Sequence, residues 1–167
     1  MSRLSKVFKK FPRTFWVANT MELFERWAWY GFYMILALYL TGSTDSGALG
    51  FTQAQKGNLM GPVTFLLYLL PIITGAIADR FGYKRVLIVA YIILSSGYFL
   101  LGQMQSYAGF YIVFIYLAIG AALFKPIITA TISRTTDDET SSIGFGKFYI
   151  IVNIGAFIGP VFASKFR

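Results

Sequence analysis

The chain has 167 residues, of which 56% are hydrophobic, 19% aromatic and only 13% charged, and its mean hydropathy is +0.62; this excludes an ordinary water-soluble domain and points to an integral membrane protein. The 15 Lys and Arg outnumber 7 Asp and Glu, for a net charge of +8, but the basic residues sit in short flanks between apolar runs, so a lipid bilayer rather than a nucleic acid is the expected partner. With no Cys and no His, disulfide frameworks, Cys/His zinc sites, thiol nucleophiles and imidazole bases are all excluded, and no metal site is expected.

Residues 1–14 carry Arg3, Lys6, Lys9, Lys10 and Arg13 with no acid. The apolar run that follows is too long, too charged and too poor in small residues at a cleavage position for a signal peptide. The segment is read as a retained basic cytoplasmic arm. The first predicted span covers 15–41, ends at Thr41-Gly42-Ser43 and contains Glu22, Glu25 and Arg26. An ionised residue at that depth costs about 2.5–3.5 kcal/mol on insertion scales, so it marks a pathway or a binding site. Glu22, Glu25, Arg26, Trp29, Tyr30 and Tyr33 recur at steps of three and four and form one stripe, whereas Phe24, Ala28, Ile35 and Leu38 fall on other sides. Such a stripe must face protein or an aqueous cavity. The alternative is an interhelical salt bridge that only fixes packing.

The second span is predicted over 52–78, opened by a capping box between Thr52 and Gln55 and bent by Pro62 and Pro71. Tyr68 lies among its Leu and Phe residues, where packing is the ordinary role. The stretch from Gly75 to Arg85 is read as a turn to a third span over 86–103. In it Gly75 allows close helix approach, Gly82 permits the reversal, Asp79 can cap a helix or pair with an arginine, and Arg80, Lys84 and Arg85 add positive charge.

The fourth span, 107–132, contains Lys125 before Pro126. A lysine there needs a counter-charge or a wet cavity, with the first-span carboxylates as candidates, unless it snorkels toward the helix end. The fifth span, 143–163, carries Asn153, which is suited to a hydrogen bond across a helix interface, and a small-residue face of Gly155, Ala156 and Gly159. The arm and the Arg80–Arg85 region are basic, while the 103–106 turn is uncharged and the 42–51 loop has only Asp45. The positive-inside rule therefore places the arm in the cytoplasm. An odd number of spans suggests part of a longer chain. No Walker loop, nucleophile elbow or metal-ligand cluster occurs, and Gly144-Phe145-Gly146-Lys147 is too short for a phosphate cradle, so an enzyme is not expected.

The Gly75-x-x-x-Asp79-Arg80-x-Gly82-x-Lys84-Arg85 pattern resembles the loop signature of the major facilitator superfamily. Glu22-x-x-Glu25-Arg26 followed by Trp29-Tyr30-Gly31, together with Phe124-Lys125-Pro126 and Phe148-Tyr149-x-x-x-Asn153-x-Gly155, is similar to motifs of the proton-dependent oligopeptide transporters. The resemblance implies an all-α, polytopic membrane bundle: about five helices of the N-terminal bundle of a protein with twelve or more, in a plasma membrane such as the bacterial inner membrane. It implies proton-coupled uptake of di- and tripeptides by alternating access, with the proton gradient in place of a cofactor and a C-terminal bundle completing the pocket. Arg26 and Lys125 would bind the peptide carboxylate, Tyr30 and Tyr68 would line the pocket, Asn153 would meet the peptide backbone or amino end, and Glu22 and Glu25 would be the proton-linked carboxylates. Tyr33 stands where the family commonly has arginine, and Ile127 where it commonly has asparagine, so substrate or coupling can differ. A carrier of nitrate, a drug or another small solute, and a non-transporting membrane scaffold, are the alternatives.

Overall fold

Long apolar runs, each closed by Gly or a polar loop, leave helix as the conformation that satisfies their backbone without water. The computed structural model describes residues 10–165. It contains five long helices: α1 Arg13–Thr41, α2 Gln53–Phe81, α3 Tyr83–Leu101, α4 Tyr107–Arg134 and α5 Ser141–Lys165, with a single 3-10 turn at Thr44–Ser46 between the first two. No strand occurs among the described residues. The helices α2, α3, α4 and α5 are long and apolar enough to cross a membrane. At 29 residues α1 is as long as α2 but carries the charged trio at its centre.

The predicted boundaries shift by a few residues. Helix α1 begins at Arg13 rather than 15, immediately after Pro12, where a missing N–H costs nothing. Residues 1–9 of the expected arm lie outside the described residues, and Phe11, assigned to that arm, is instead buried and stacked on Phe15 with ring centroids 4.2 Å apart. At α2 the capping box is present: Thr52 N–H donates to Gln55 Oε1 at 2.9 Å, and Gln55 N–H donates to Thr52 Oγ1 at 3.2 Å.

The largest correction concerns the expected turn from Gly75 to Arg85. Gly75, Asp79 and Arg80 belong to the last turns of α2, Lys84 and Arg85 to the first turn of α3, and Gly82 alone reverses the chain. Its φ of +88° with ψ of 135° is open to glycine and strained for any side chain, while a Cβ there would meet nothing within 4 Å. Asp79 does not cap α3, whose N-cap is Gly82; its Oδ1 accepts a hydrogen bond from the Tyr83 hydroxyl at 2.8 Å.

The chain divides into two compact units, residues 1–36 with 128–167 and residues 37–127. In the first unit α1 and α5 meet through glycines. A Cβ on Gly155 would lie 2.8 Å from Arg26 Cβ and from the Leu23 carbonyl oxygen, and one on Gly159 would lie 2.6 Å from the Trp27 carbonyl oxygen. This is the small-residue packing expected when lipid provides no hydrophobic drive between helices. Trp27 then packs on Phe162 at 4.9 Å. In the second unit Gly97 of α3 admits Leu117 of α4, Phe110, Phe114 and Leu117 are fully buried, and the Thr74 hydroxyl of α2 donates to the Ala122 carbonyl of α4 at 2.6 Å.

The loop before α5 is fastened by Thr140, whose N–H and hydroxyl both donate to Asp137 Oδ1, at 2.8 and 2.6 Å. These bonds, the hydroxyl's first, hold the Asp137 carboxyl below its ordinary pKa. Lys10 donates to Glu139 at 2.6 Å, and that hydrogen bond and charge raise the lysine's pKa. Both partners are exposed, so the pair adds little stability.

Candidate functional site

Each unit brings together part of the predicted set. In the first, Glu22, Glu25 and Arg26 lie about 14–20 Å along a helix of about 42 Å, at 1.5 Å per residue. Glu22 lies four residues before Arg26 and Glu25 is its immediate neighbour, and both acids reach the one guanidinium. Arg26 Nε and Nη2 each approach Glu25 Oε2 at 2.5 Å, and Nε lies 3.4 Å from Glu22 Oε1. The side chains of Glu25, Glu22 and Arg26 are 2%, 6% and 14% exposed. Two carboxylates and one guanidinium leave the trio one formal negative charge, held where water is scarce. Such a cluster is sensitive to any further cation or proton. Arg26 Cζ also stands 5.9 Å from the Tyr30 ring centroid, a cation–π contact that joins Tyr30 to the trio.

The rest of the stripe follows the expected division only in part, because Tyr30 is 37% exposed, as much as Ile35 on the other side. Trp29 and Tyr33 are half-buried and stack at 5.6 Å, so Tyr33 is occupied by aromatic packing. Phe24, Ala28, Ile35 and Leu38 are exposed, as their positions on the helix require. Asn153 on α5 is exposed and makes no hydrogen bond among the described residues, so it is not the interhelical bond that its sequence context allowed. Gly155, two residues on, brings the α1 backbone against α5 at Arg26 itself.

In the second unit Lys125 Nζ lies 5.7 Å from the ring centroid of Tyr68. Tyr68 is 74% exposed, so it is not a packing residue. Lys125 stands nine residues before the end of α4, about 14 Å along its axis, and its ammonium rests against a mid-helix ring rather than snorkelling to that end. Ile127, at the second departure from the family pattern, is buried.

Sequence reasoning missed Asn19, one turn before Glu22 on the same side of α1. It is 1% exposed, and its Nδ2 donates to the Phe15 carbonyl at 2.8 Å. Its spacing from Glu22 was the available signal. Also missed was Thr74, because a hydroxyl in an apolar helix usually bonds its own backbone rather than a carbonyl 48 residues away.

The sequence profile of the Major Facilitator Superfamily matches residues 20–166. The chain belongs to that superfamily. As a Major Facilitator Superfamily chain with four strongly apolar helices, it is part of an integral membrane protein. It is 31% identical over 159 residues to the uncharacterized transporter YclF of Bacillus subtilis, an alignment covering 93% of this chain and 32% of that protein. It is 31% identical over 169 residues to dipeptide and tripeptide permease A of Serratia proteamaculans, with 94% and 32% covered. With the di-/tripeptide transporter of Lactococcus lactis it shares 28% identity over 169 residues, with 96% and 34% covered. The fold matches a crystal structure of a glutamate-to-glutamine variant of the peptide transporter POT in complex with sulfate, at a TM-score of 0.83 and 26% identity, covering 90% of this chain and 31% of that one. The resemblance read from the motifs thus extends to named peptide transporters, and the chain spans about a third of the length of the curated relatives it matches.

Proposed function

We propose that this chain is part of a secondary active transporter that takes up di- and tripeptides together with protons by alternating access. The observation that carries the reading is the buried Glu22–Glu25–Arg26 trio in the middle of a helix of membrane-spanning length. Its similarity to permeases named for di- and tripeptides supports the substrate class. Arg26 with Tyr30 beside it, and Lys125 with Tyr68 beside it, are the cations we assign to the peptide carboxylate, and Asn153 is assigned to the peptide backbone or amino end. Glu22 and Glu25 carry the coupled proton. When a carboxylate of the substrate draws on Arg26, one of its two acids loses its counter-charge and is favoured to take a proton; release of the substrate restores the pair. Driving force comes from the proton gradient, and further helices of the full protein complete the pocket. The basic arm and loops support a reading in which the N-terminus of α1 lies on the cytoplasmic side of a plasma membrane.

The test is uptake of a labelled dipeptide by the full-length protein in proteoliposomes with an inward proton gradient. Accumulation is expected to fall when the gradient is collapsed, and unlabelled dipeptide is expected to compete where nitrate does not. Undiminished accumulation without the gradient overturns the carboxylate mechanism, and nitrate as the better competitor transfers the reading to an anion carrier. Glu22→Gln and Glu25→Gln are expected to assemble normally and lose proton-driven accumulation; a scaffold protein would lose assembly instead.

A further inference from the structure

We propose that Arg13, Trp16 and Lys147 form a binding site for the headgroup of an anionic phospholipid, beside the first turn of α1. The site lies within the first unit and is independent of the transported solute.

The indole of Trp16 is held edge-on by Phe15, with ring centroids 5.3 Å apart and an interplanar angle of 90°, and by Phe11 at 6.2 Å and 88°. It is nevertheless 39% exposed. Lys147 of α5 places its ammonium 5.5 Å from the indole ring centroid. An ammonium resting on a ring face still directs donors away from that face. Arg13 precedes Trp16 by three residues, so the two share a side of the helix, and Arg13 is exposed and makes no salt bridge among the described residues. One cation therefore rests on, and a second shares the helix side of, an amphipathic ring of the type that sits at the boundary between headgroups and hydrocarbon.

The acidic groups of this region are in the loop before α5. Glu139 is held by Lys10 at 2.6 Å and Asp137 by Thr140, while Asp138 is the remaining acid there. Below the cations the exposed side of α1 continues through Val17, Thr20 and Phe24. The Thr20 hydroxyl donates to the Trp16 carbonyl at 2.9 Å, which withdraws it from the surface. The order along this side is thus guanidinium, indole, then an apolar track, which is the order of phosphate, glycerol and acyl chain in a phospholipid. Charge-assisted hydrogen bonds from Arg13 and Lys147 would take the phosphate, and Val17 and Phe24 would take the chain. A water-soluble phosphate would use the cations but leave the apolar track uncovered, so the lipid is the better fit.

The full-length protein, delipidated in detergent, is titrated with dioleoylphosphatidylglycerol or dioleoylphosphatidylcholine, and bound lipid is counted by native mass spectrometry. Wild type is expected to prefer the anionic lipid. Arg13→Gln and Lys147→Gln each reduce that preference by about fivefold, and together by about 25-fold, the usual weight of a basic residue at a membrane surface. Lys147→Arg keeps it, and Lys56→Gln at the start of α2 leaves it unchanged. Because both target residues sit at the surface, the double variant is required to elute as wild type does before it is scored. Equal binding of the two lipids by wild type, an unchanged preference in the double variant, or displacement of the anionic lipid by millimolar inorganic phosphate overturns the proposal.

Discussion

The contact between α1 and α5 can be tested by a single methyl group. In Gly159→Ala the new Cβ would lie 2.6 Å from the Trp27 carbonyl oxygen, 2.7 Å from Gly31 N and 3.3 Å from Gly31 Cα, all of them backbone atoms that cannot rotate away. Restoring ordinary contact requires α1 to retreat by about 0.8 Å, and overpacking of this kind costs about 1–3 kcal/mol. In water the gain in helix propensity on replacing Gly by Ala would offset part of that cost. In a bilayer the separated helices are already helical, so that gain largely disappears from the difference. Melting of the full-length protein in detergent, followed by tryptophan fluorescence because Trp27 packs on Phe162, should show a lower midpoint for Gly159→Ala. Gly146→Ala on the same helix is the control, since its Cβ would meet nothing within 4 Å. If both variants melt with the wild type, the close approach of the two helices is refuted, and with it the argument that Gly155 seats Arg26.

Three further outcomes follow from other parts of the molecule. Gly82→Ala should cost about 1–3 kcal/mol through backbone strain alone, seen as a lower midpoint in the same melt, because the space around it is open and only its φ of +88° is at issue. Thr74→Val removes the 2.6 Å bond to the Ala122 carbonyl and should cost about 0.6 kcal/mol, the average for such bonds in membranes, with about 1.7 as the upper bound; a larger loss would mean that the hydroxyl does more than bridge α2 and α4. The loop before α5 should keep its amide protection over a broad pH window and lose it in acid. Asp137 is held below its ordinary pKa, so its contribution is present above about pH 4 and lost as acid titrates the carboxyl through its lowered folded value. Lys10 is raised, so its contribution lasts to about pH 10 and is lost only above that. Protection of residues 137–141 should therefore be flat between these limits and fall on the acid side; Asp137→Asn should abolish that acid-side fall.

Much of the architecture was legible in the residues. Apolar runs of about 20 residues demand helices in a bilayer whatever surrounds them, and caps such as Thr52 with Gln55 act within one turn, so α2 starts where its local chemistry says. The i,i+3 and i,i+4 spacing likewise makes Glu22, Glu25 and Arg26 neighbours before any other helix is considered. The turn from Gly75 to Arg85 was harder, because small and charged residues there satisfy a loop and two helix ends equally well, and only the backbone dihedrals of Gly82 show that one residue performs the reversal.

Contacts between distant segments were decided by the tertiary structure. Sequence leaves open whether Tyr68 packs in a core or meets a cation; its approach to Lys125, 57 residues away, requires two helices to be placed side by side. The same holds for Thr74 reaching Ala122 and for Phe11, which looked like part of a polar arm and is buried beside Gly144 of α5, where an added Cβ would lie 3.4 Å from its ring. Local periodicity determines which side of a helix a residue occupies, because bond geometry and hydrogen bonding fix the repeat. What stands opposite that side depends on how closely the glycines let two backbones approach, and that is a property of the pair.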